Sequence, residues 1–367
     1  MELPIEDTIY KKKPSLQRMV LSALLCICLG ATFGVASTVL ARAGEITPLG
    51  IGTVTAMFGA NPLKKTTDNY PPSTYFPTSL SPRFEGAADA IYALHRYKTG
   101  GVTAVAYAAM DRDTGELLVA QNITELRPIA SVTKTMTAIV ANEAAKRDSR
   151  FIVSQSAVDK GEATMGLTVG ESVSIEELLY GMMLPSGNDA AETLAEGVFY
   201  TESLLPFSDD VARMKSRATF ISRMNQKASD IGMSDTFFAN PTGLDEDSFE
   251  TSSHSTALDL LALGTYYLEN PYLADIASTK DIEIPYQEGH HKAFYLSNLL
   301  RMDDSYPGIR GIKPGNTEYA GETLISYAEN GGKRIVLVLL GSSASKDDAI
   351  KLYDYIFKQL GVHIVTR

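Results

Sequence analysis

GETLISYAENGGKRIVLVLLG, Gly321 to Gly341, reads as two strands around a glycine pair. Apolar and β-branched residues fill both arms, and Gly331-Gly332 supplies the backbone freedom a tight hairpin turn demands. A matching unit stands far upstream. VTAVAYAAMDRDTGELLVAQN, Val102 to Asn122, places two runs rich in apolar residues around Asp113-Thr114-Gly115, which is again hairpin chemistry. Helical patterns fill the space between. In SIEELLYGMML, Ser174 to Leu184, residues Ile175, Leu178, Leu179, Met182 and Met183 fall at helical spacing. Pro185-Ser186-Gly187 breaks that run, and DAAETLAEGVF, Asp189 to Phe199, begins another helix. Asp209 to Gly232 and Ser255 to Leu268 continue the pattern. Asp347 to Leu360 forms a last amphipathic helix. Strands at both ends around a helical middle imply a mixed α/β class of the α+β kind, with an antiparallel sheet built from both ends of the chain and flanked by helices.

The chain has 367 residues, 44% of them apolar and 21% charged, which is a globular composition. Its net charge is −11 and the acidic body beyond residue 42 contains no basic run, so nucleic acid is not expected as a partner. Met19 to Ala41 carries no charge over 23 residues. As a helix that is about 34 Å, enough to cross a hydrocarbon core of about 30 Å. Lys11, Lys12 and Lys13 precede it, so the N-terminus is expected to stay in the cytoplasm and the body outside, at the cell membrane. The length favours an uncleaved single-pass anchor over a signal peptide, while Ala41-Arg42-Ala43 offers a small-x-small cleavage site that would release a secreted body. Both cysteines, Cys26 and Cys28, lie in this segment, so no disulfide braces the body. The expected division is a cytoplasmic tail at 1–18, the span at 19–41, a Pro/Ser/Thr-rich linker over 42–86 and a single domain over 87–367.

RPIASVTKTMTAIVANE, Arg127 to Glu143, poses a chemical question. From Ile129 to Asn142 the one charged residue is Lys134, and Ser131 stands three positions before it. On a helix these two share a face. Pro128 marks a helix start, which puts Ser131 in the first turn, where free N–H groups favour a developing alkoxide. Val132, Met136, Ile139 and Val140 form one apolar stripe, and Ala138, Ala141 and Ala145 cover the other side. Such a helix is buried all round, and a buried lysine loses its proton more readily. A neutral amine beside a serine can take the hydroxyl proton, which makes a nucleophile and base pair without histidine.

Two further stretches join this pair. Ser186-Gly187-Asn188 sits in the break between two helices, and Lys313-Pro314-Gly315 stands just before the second hairpin. In this order the three resemble the S-x-x-K, S-x-N and K-T-G motifs of the penicillin-binding protein and serine β-lactamase superfamily. The resemblance is closest to the low-molecular-weight D-alanyl-D-alanine carboxypeptidases, the S11 peptidases, and it runs from about Val102 to Leu360, including LPSGNDAAETLAE and Gly232 to Gly264. It implies a transpeptidase-like fold with an inserted all-helical subdomain. It implies that Ser131 attacks the terminal D-Ala–D-Ala bond of a peptidoglycan stem peptide, with Lys134 as base and Ser186 passing the proton on. Asn188, Lys313, Gly315 and Asn316 would contact substrate, and the backbone amides of Ser131 and Asn316 would form the oxyanion hole. It implies β-lactams as covalent inhibitors and neither a metal nor an organic cofactor.

The third motif departs from the family. Pro314 stands where threonine or serine is usual, which removes a hydroxyl that would touch the substrate carboxylate. A weakly active or non-catalytic relative that binds cell-wall peptides or penicillin is the alternative this implies. Asn316, Thr317 and Arg310 are the neighbours that could replace the hydroxyl. No E-x-x-L-N element follows the second motif, so fast β-lactam hydrolysis is not expected. The five histidines lack metal-ligand spacing, and His290-His291 reads as an exposed loop.

Overall fold

The computed structural model describes residues 101–200, 210–301 and 306–364. The expected tail, span and linker, and the domain start at Ala87, lie outside these residues. Among the described residues no helix is long and apolar enough to cross a membrane.

Strands β1 (Ala106–Asp111) and β2 (Leu117–Gln121) form the first hairpin. Strand β3 (Arg127–Pro128) leads through a 3₁₀ turn (Ala130–Thr133) into α1 (Lys134–Ala144). Then come β4 (Arg150–Ile152), α2 (Gln155–Val158), β5 (Ser172–Ser174), α3 (Ile175–Met183), α4 (Asn188–Gly197) and α5 (Asp210–Asp230). After β6 (His254–Ser255) follow α6 (Ala257–Glu269), α7 (Pro271–Ser278), β7 (Asp281–Ile284) and β8 (Phe294–Ser297). Strands β9 (Ile309–Thr317), β10 (Gly321–Asn330) and β11 (Lys333–Ser342) precede the last helix, α8 (Ser345–Gln359).

Five strands make one antiparallel sheet in the order β2-β1-β11-β10-β9. The two hairpins from opposite ends of the chain meet where β1 pairs with β11, with Ala106 opposite Leu340. Along β11 the side chains alternate between two cores. Val336, Val338 and Leu340 face the helical middle, and Ile335, Leu337 and Leu339 join Leu352, Tyr353, Ile356 and Phe357 of α8. A strand covered on both faces has no polar side, which is why RIVLVLLG is apolar throughout. On the inner face α6 lies close to the sheet, since a Cβ on Gly264 would come within 2.9 Å of Ile325.

The middle is not all-helical as expected. It contains three two-stranded ladders, β3-β6, β4-β5 and β7-β8. Pro128 also does not open a helix. It ends β3, and the 3₁₀ turn begins two residues later at Ala130, whose φ is +48°. His290 is exposed, but His291 is buried, with Nε2 3.1 Å from Glu177 Oε1 and Nδ1 2.7 Å from the Lys292 carbonyl. It anchors the β7-β8 loop to α3, whose start is closed by a reciprocal Ser174–Glu177 capping box.

One buried carboxylate fastens the outer layer. Asp348 of α8 accepts hydrogen bonds from Thr103 N and Oγ1, Ala104 N and Ser342 Oγ, at 2.7 to 3.0 Å. Asp348→Ala takes this acceptor from all four donors, two of which, Ala104 N and Ser342 Oγ, belong to buried residues. Urea unfolding is expected to show a loss of about 3 kcal/mol or more, from several hydrogen bonds to a charged group. A loss within 0.5 kcal/mol, the usual range for a surface change, would rule the anchor out.

Candidate active site

The site gathers where the 3₁₀ turn, the start of α4, the loop before β6 and the edge strand β9 meet. Ser131 lies in the 3₁₀ turn and Lys134 is the first residue of α1. Lys134 is fully buried, and so is every residue of α1 up to Ala141. Its Nζ lies 2.9 Å from Ser131 Oγ, 2.7 Å from Asn188 Oδ1 and 2.6 Å from the Thr242 carbonyl.

Two of these three partners can only accept. A carboxamide oxygen and a peptide carbonyl have no proton to give. A neutral amine has two hydrogens and one lone pair, so both hydrogens go to Asn188 and Thr242 and the lone pair faces the Ser131 hydroxyl. The Asn188 amide cannot turn over without loss, because its Nδ2 donates to the Gly161 carbonyl at 3.1 Å. Burial pushes the Lys134 amine well below the ordinary lysine range, and the nearby Lys313 charge pushes the same way. Glu162 and Asp189 act weakly against this. Lys313 is itself fully buried, which lowers its pKa to about 7, and its Nζ donates to the Pro314 carbonyl at 3.1 Å. Its field on Lys134 is therefore strongest below neutrality.

The elbow before α4 is held by strain and close packing. Ser186 has φ +65°, a left-handed conformation rare for a residue with a side chain. A Cβ on Gly187 would sit 2.6 Å from the Gly181 carbonyl and 2.8 Å from Met165 N. Asp189 then accepts from the amides of Met165, Gly166 and Leu167 at 2.8 to 3.0 Å. In the sequence Asp189 carries only the signature of a helix start.

Strand β9 is an edge, so Pro314 interrupts no ladder on its free side. Gly315 is the point of closest approach. A Cβ there would lie 2.8 Å from Ser131 N and 2.6 Å from Thr323 Oγ1, which donates to the Ile129 carbonyl at 3.0 Å. Only glycine lets the strand reach the backbone of Ser131. Of the neighbours that could replace the missing hydroxyl, Asn316 and Thr317 both line the cleft. Thr317 is engaged with Asp245 at 2.9 Å, and Arg310 pairs with Glu329 at 3.7 Å, outside the cleft lining.

A cleft of about 550 Å³ opens over Ser131, lined also by Ser186, Asn188, Pro314, Gly315 and Asn316. Its far wall is the start of α8, from Ser343 to Asp347. All the sequence-derived residues except Lys134 and Lys313 reach this space; the two lysines lie behind it, buried. Sequence reasoning missed the Thr242 carbonyl, because a backbone acceptor leaves no residue signature. The signal nearby was ANPTG, whose Asn240 turns the loop.

A sequence model of the D-alanyl-D-alanine carboxypeptidases, Peptidase S11, matches residues 94–344. The chain belongs to this family. It is similar to D-alanyl-D-alanine carboxypeptidase DacF of Bacillus subtilis, 30% identical over 69% of this chain and 62% of the relative's length. It is also similar to the D-alanyl-D-alanine carboxypeptidase of Streptomyces sp. K15, 30% identical over 70% of this chain and 88% of that one. The crystal structure of the Streptomyces K15 DD-transpeptidase superposes with a TM-score of 0.64 at 27% identity, covering 71% of this chain and all of that one.

Two outcomes follow for this S11 chain. Gly315→Ala is expected to lower penicillin acylation at least about 100-fold by displacing β9 from Ser131, a shift of about 1 Å; an unchanged acylation rate would exclude the contact. Lys313→Met removes a positive neighbour, so the Lys134 pKa rises. The acid limb of the acylation rate, where Lys134 becomes neutral, is expected to move to higher pH. A limb that stays put or moves down would refute the coupling.

Proposed function

We propose that the chain is a serine D-alanyl-D-alanine carboxypeptidase that removes the terminal D-alanine from peptidoglycan stem peptides. The observation that carries this reading is the buried Lys134 amine, whose Nζ lies 2.9 Å from Ser131 Oγ and within 2.7 Å of two pure acceptors, Asn188 Oδ1 and the Thr242 carbonyl. Ser131 Oγ attacks the carbonyl of the D-Ala–D-Ala bond and passes its proton to Lys134. The oxyanion is taken by the amides of Ser131 and Asn316, donors fixed before the charge forms. Ser186 relays the proton from Lys134 to the departing nitrogen, and D-alanine leaves. Water then attacks the acyl-enzyme and restores the serine. Asn188 orients the base and contacts the substrate amide. Lys313 acts on the terminal carboxylate as a buried charge, and Gly315 admits the peptide backbone beside Ser131. A β-lactam acylates the same serine. No cofactor takes part in this scheme.

The body, residues 87–367, works outside the cytoplasm. The support is the uncharged run Met19 to Ala41 behind three lysines, which reads as a single-pass anchor with a cytoplasmic N-terminus, or as a secretion signal if Ala43 marks a cleavage site.

Incubation with a peptide ending in D-Ala–D-Ala should release D-alanine, with none from Ser131→Ala. Release no faster than that control would overturn the assignment. Pro314 should slow the reaction without stopping it, since one missing hydrogen bond to a charged group is worth about 1.5–3 kcal/mol. Pro314→Thr is then expected to raise acylation about tenfold or more. No gain would mean that Asn316 or another group already holds the carboxylate.

A further inference from the structure

Strand β9 is hydrogen-bonded on one side only, to β10. Such a strand is fixed in the plane of its sheet and Gly315 rests on the Ser131 turn, but no further strand pairs with its outer side. Its end carries Asn316, and the distance from that amide to Ser131 must hold to a fraction of an ångström for oxyanion binding.

The loop on the other side of the cleft is rigid. Asn240 is buried, and its Oδ1 accepts from Thr242 N at 3.1 Å, Thr242 Oγ1 at 2.9 Å and Gly243 N at 2.7 Å. Its Nδ2 donates to the Leu244 carbonyl at 2.9 Å and Glu246 Oε1 at 2.8 Å. Gly243 presses on the residue before the nucleophile, for a Cβ there would fall 1.9 Å from the Ala130 carbonyl. The loop also supplies the Thr242 carbonyl that holds Lys134.

Three residues after Thr242, the same loop reaches across to β9. Asp245 Oδ1 accepts from Thr317 Oγ1 at 2.9 Å, and Oδ2 accepts from Tyr319 N at 3.0 Å. Thr317 Oγ1 accepts in turn from Ala320 N at 3.3 Å, which closes the turn after the strand. We propose that Asp245 is a positioning residue for acyl transfer: its carboxylate straps the end of β9, and with it the Asn316 amide, to the loop that holds Lys134. The inference rests on the acyl transfer at Ser131 proposed above. Both strap bonds have a charged acceptor, so they are stronger than ordinary side-chain bonds. An aspartate suits the place because it offers two acceptors to two donors on one short turn.

The strap makes a different demand from a purely structural tie. It should affect the oxyanion and leave the binding of the ground-state peptide nearly alone. Full-length Asp245→Ala, Thr317→Val and Asp245→Asn would be compared for penicillin acylation at Ser131, for kcat and KM of D-alanine release, and for melting temperature. Asp245→Ala is expected to slow acylation and lower kcat about 30- to 100-fold, as for a displacement of about 1 Å, with KM within about threefold. Thr317→Val cuts one arm and should lose about tenfold. The double variant should be no worse than Asp245→Ala, because both changes cut one strap. Asp245→Asn should restore most of the rate, since its oxygen can accept from Tyr319 N and its nitrogen can donate to Thr317 Oγ1.

Wild-type acylation in either Asp245→Ala or Thr317→Val would overturn the proposal. So would a loss carried by KM alone. Should Asp245→Ala fail to fold, Thr317→Val decides the matter. A wild-type chain that takes up penicillin but releases no D-alanine would sink the carboxypeptidase reading and leave the acylation comparison intact.

Discussion

Everything at the site depends on keeping one amine dry. Removing a lysine charge from water carries an effective penalty of several kcal/mol, so a fully buried Lys134 favours the neutral form. Neutrality brings its own demand, since two N–H groups still need acceptors in a place without solvent. The chain meets it with a carboxamide from the start of α4 and a carbonyl from the loop before β6. Each acceptor is fixed by other bonds, Asn188 through Gly161 and Thr242 through Asn240. What remains of the amine is a lone pair with one direction to face, and Ser131 stands there.

This demand explains why distant parts of the sequence are tied together. Neither hairpin supplies a partner to Lys134. The sheet enters through Gly315, pressed against Ser131 N, and through Lys313, a second buried amine whose charge repels a proton from the first. The proline in β9 is compatible with this arrangement because an edge strand has a free side. Strand β9 therefore carries Pro314 and still keeps its register with β10, Pro314 opposite Leu324.

Much of this was legible in the residues. The two hairpins, the helices over 175–183, 210–230 and 257–269, and the closing helix followed from periodicity and glycine placement. So did the burial of α1, because a helix with no polar face has nowhere else to go. What escaped had physical reasons. The short ladders β4-β5 and β7-β8 contain three or four residues per strand, too few for alternation to show. Helix α7 begins with Pro271 and spans only two turns. His291 looked like surface because its sequence neighbours are polar, yet its partner Glu177 lies on another element. The serine and lysine were visible as a pair, but the Thr242 carbonyl and the Asp245 strap were not. Backbone acceptors and cross-loop bonds belong to the tertiary structure.

The meeting of β1 with β11 sets the order in which the sheet can form. The first hairpin presents Ala106, Ala108 and Met110 on one face and Tyr107 and Ala109 on the other, all of them buried in the finished protein. Its other partner in the sheet, β11, comes only after the helical middle, so that edge of β1 stays unpaired until Lys333–Ser342 is present. Contacts this far apart close slowly, because loop entropy must be overcome before any pairing is gained. Until then the alanine-rich strand is an open edge. Its defence is composition: small side chains leave little apolar surface for another chain to grip. The run AYAAMD thus serves an unfinished chain as well as the folded one.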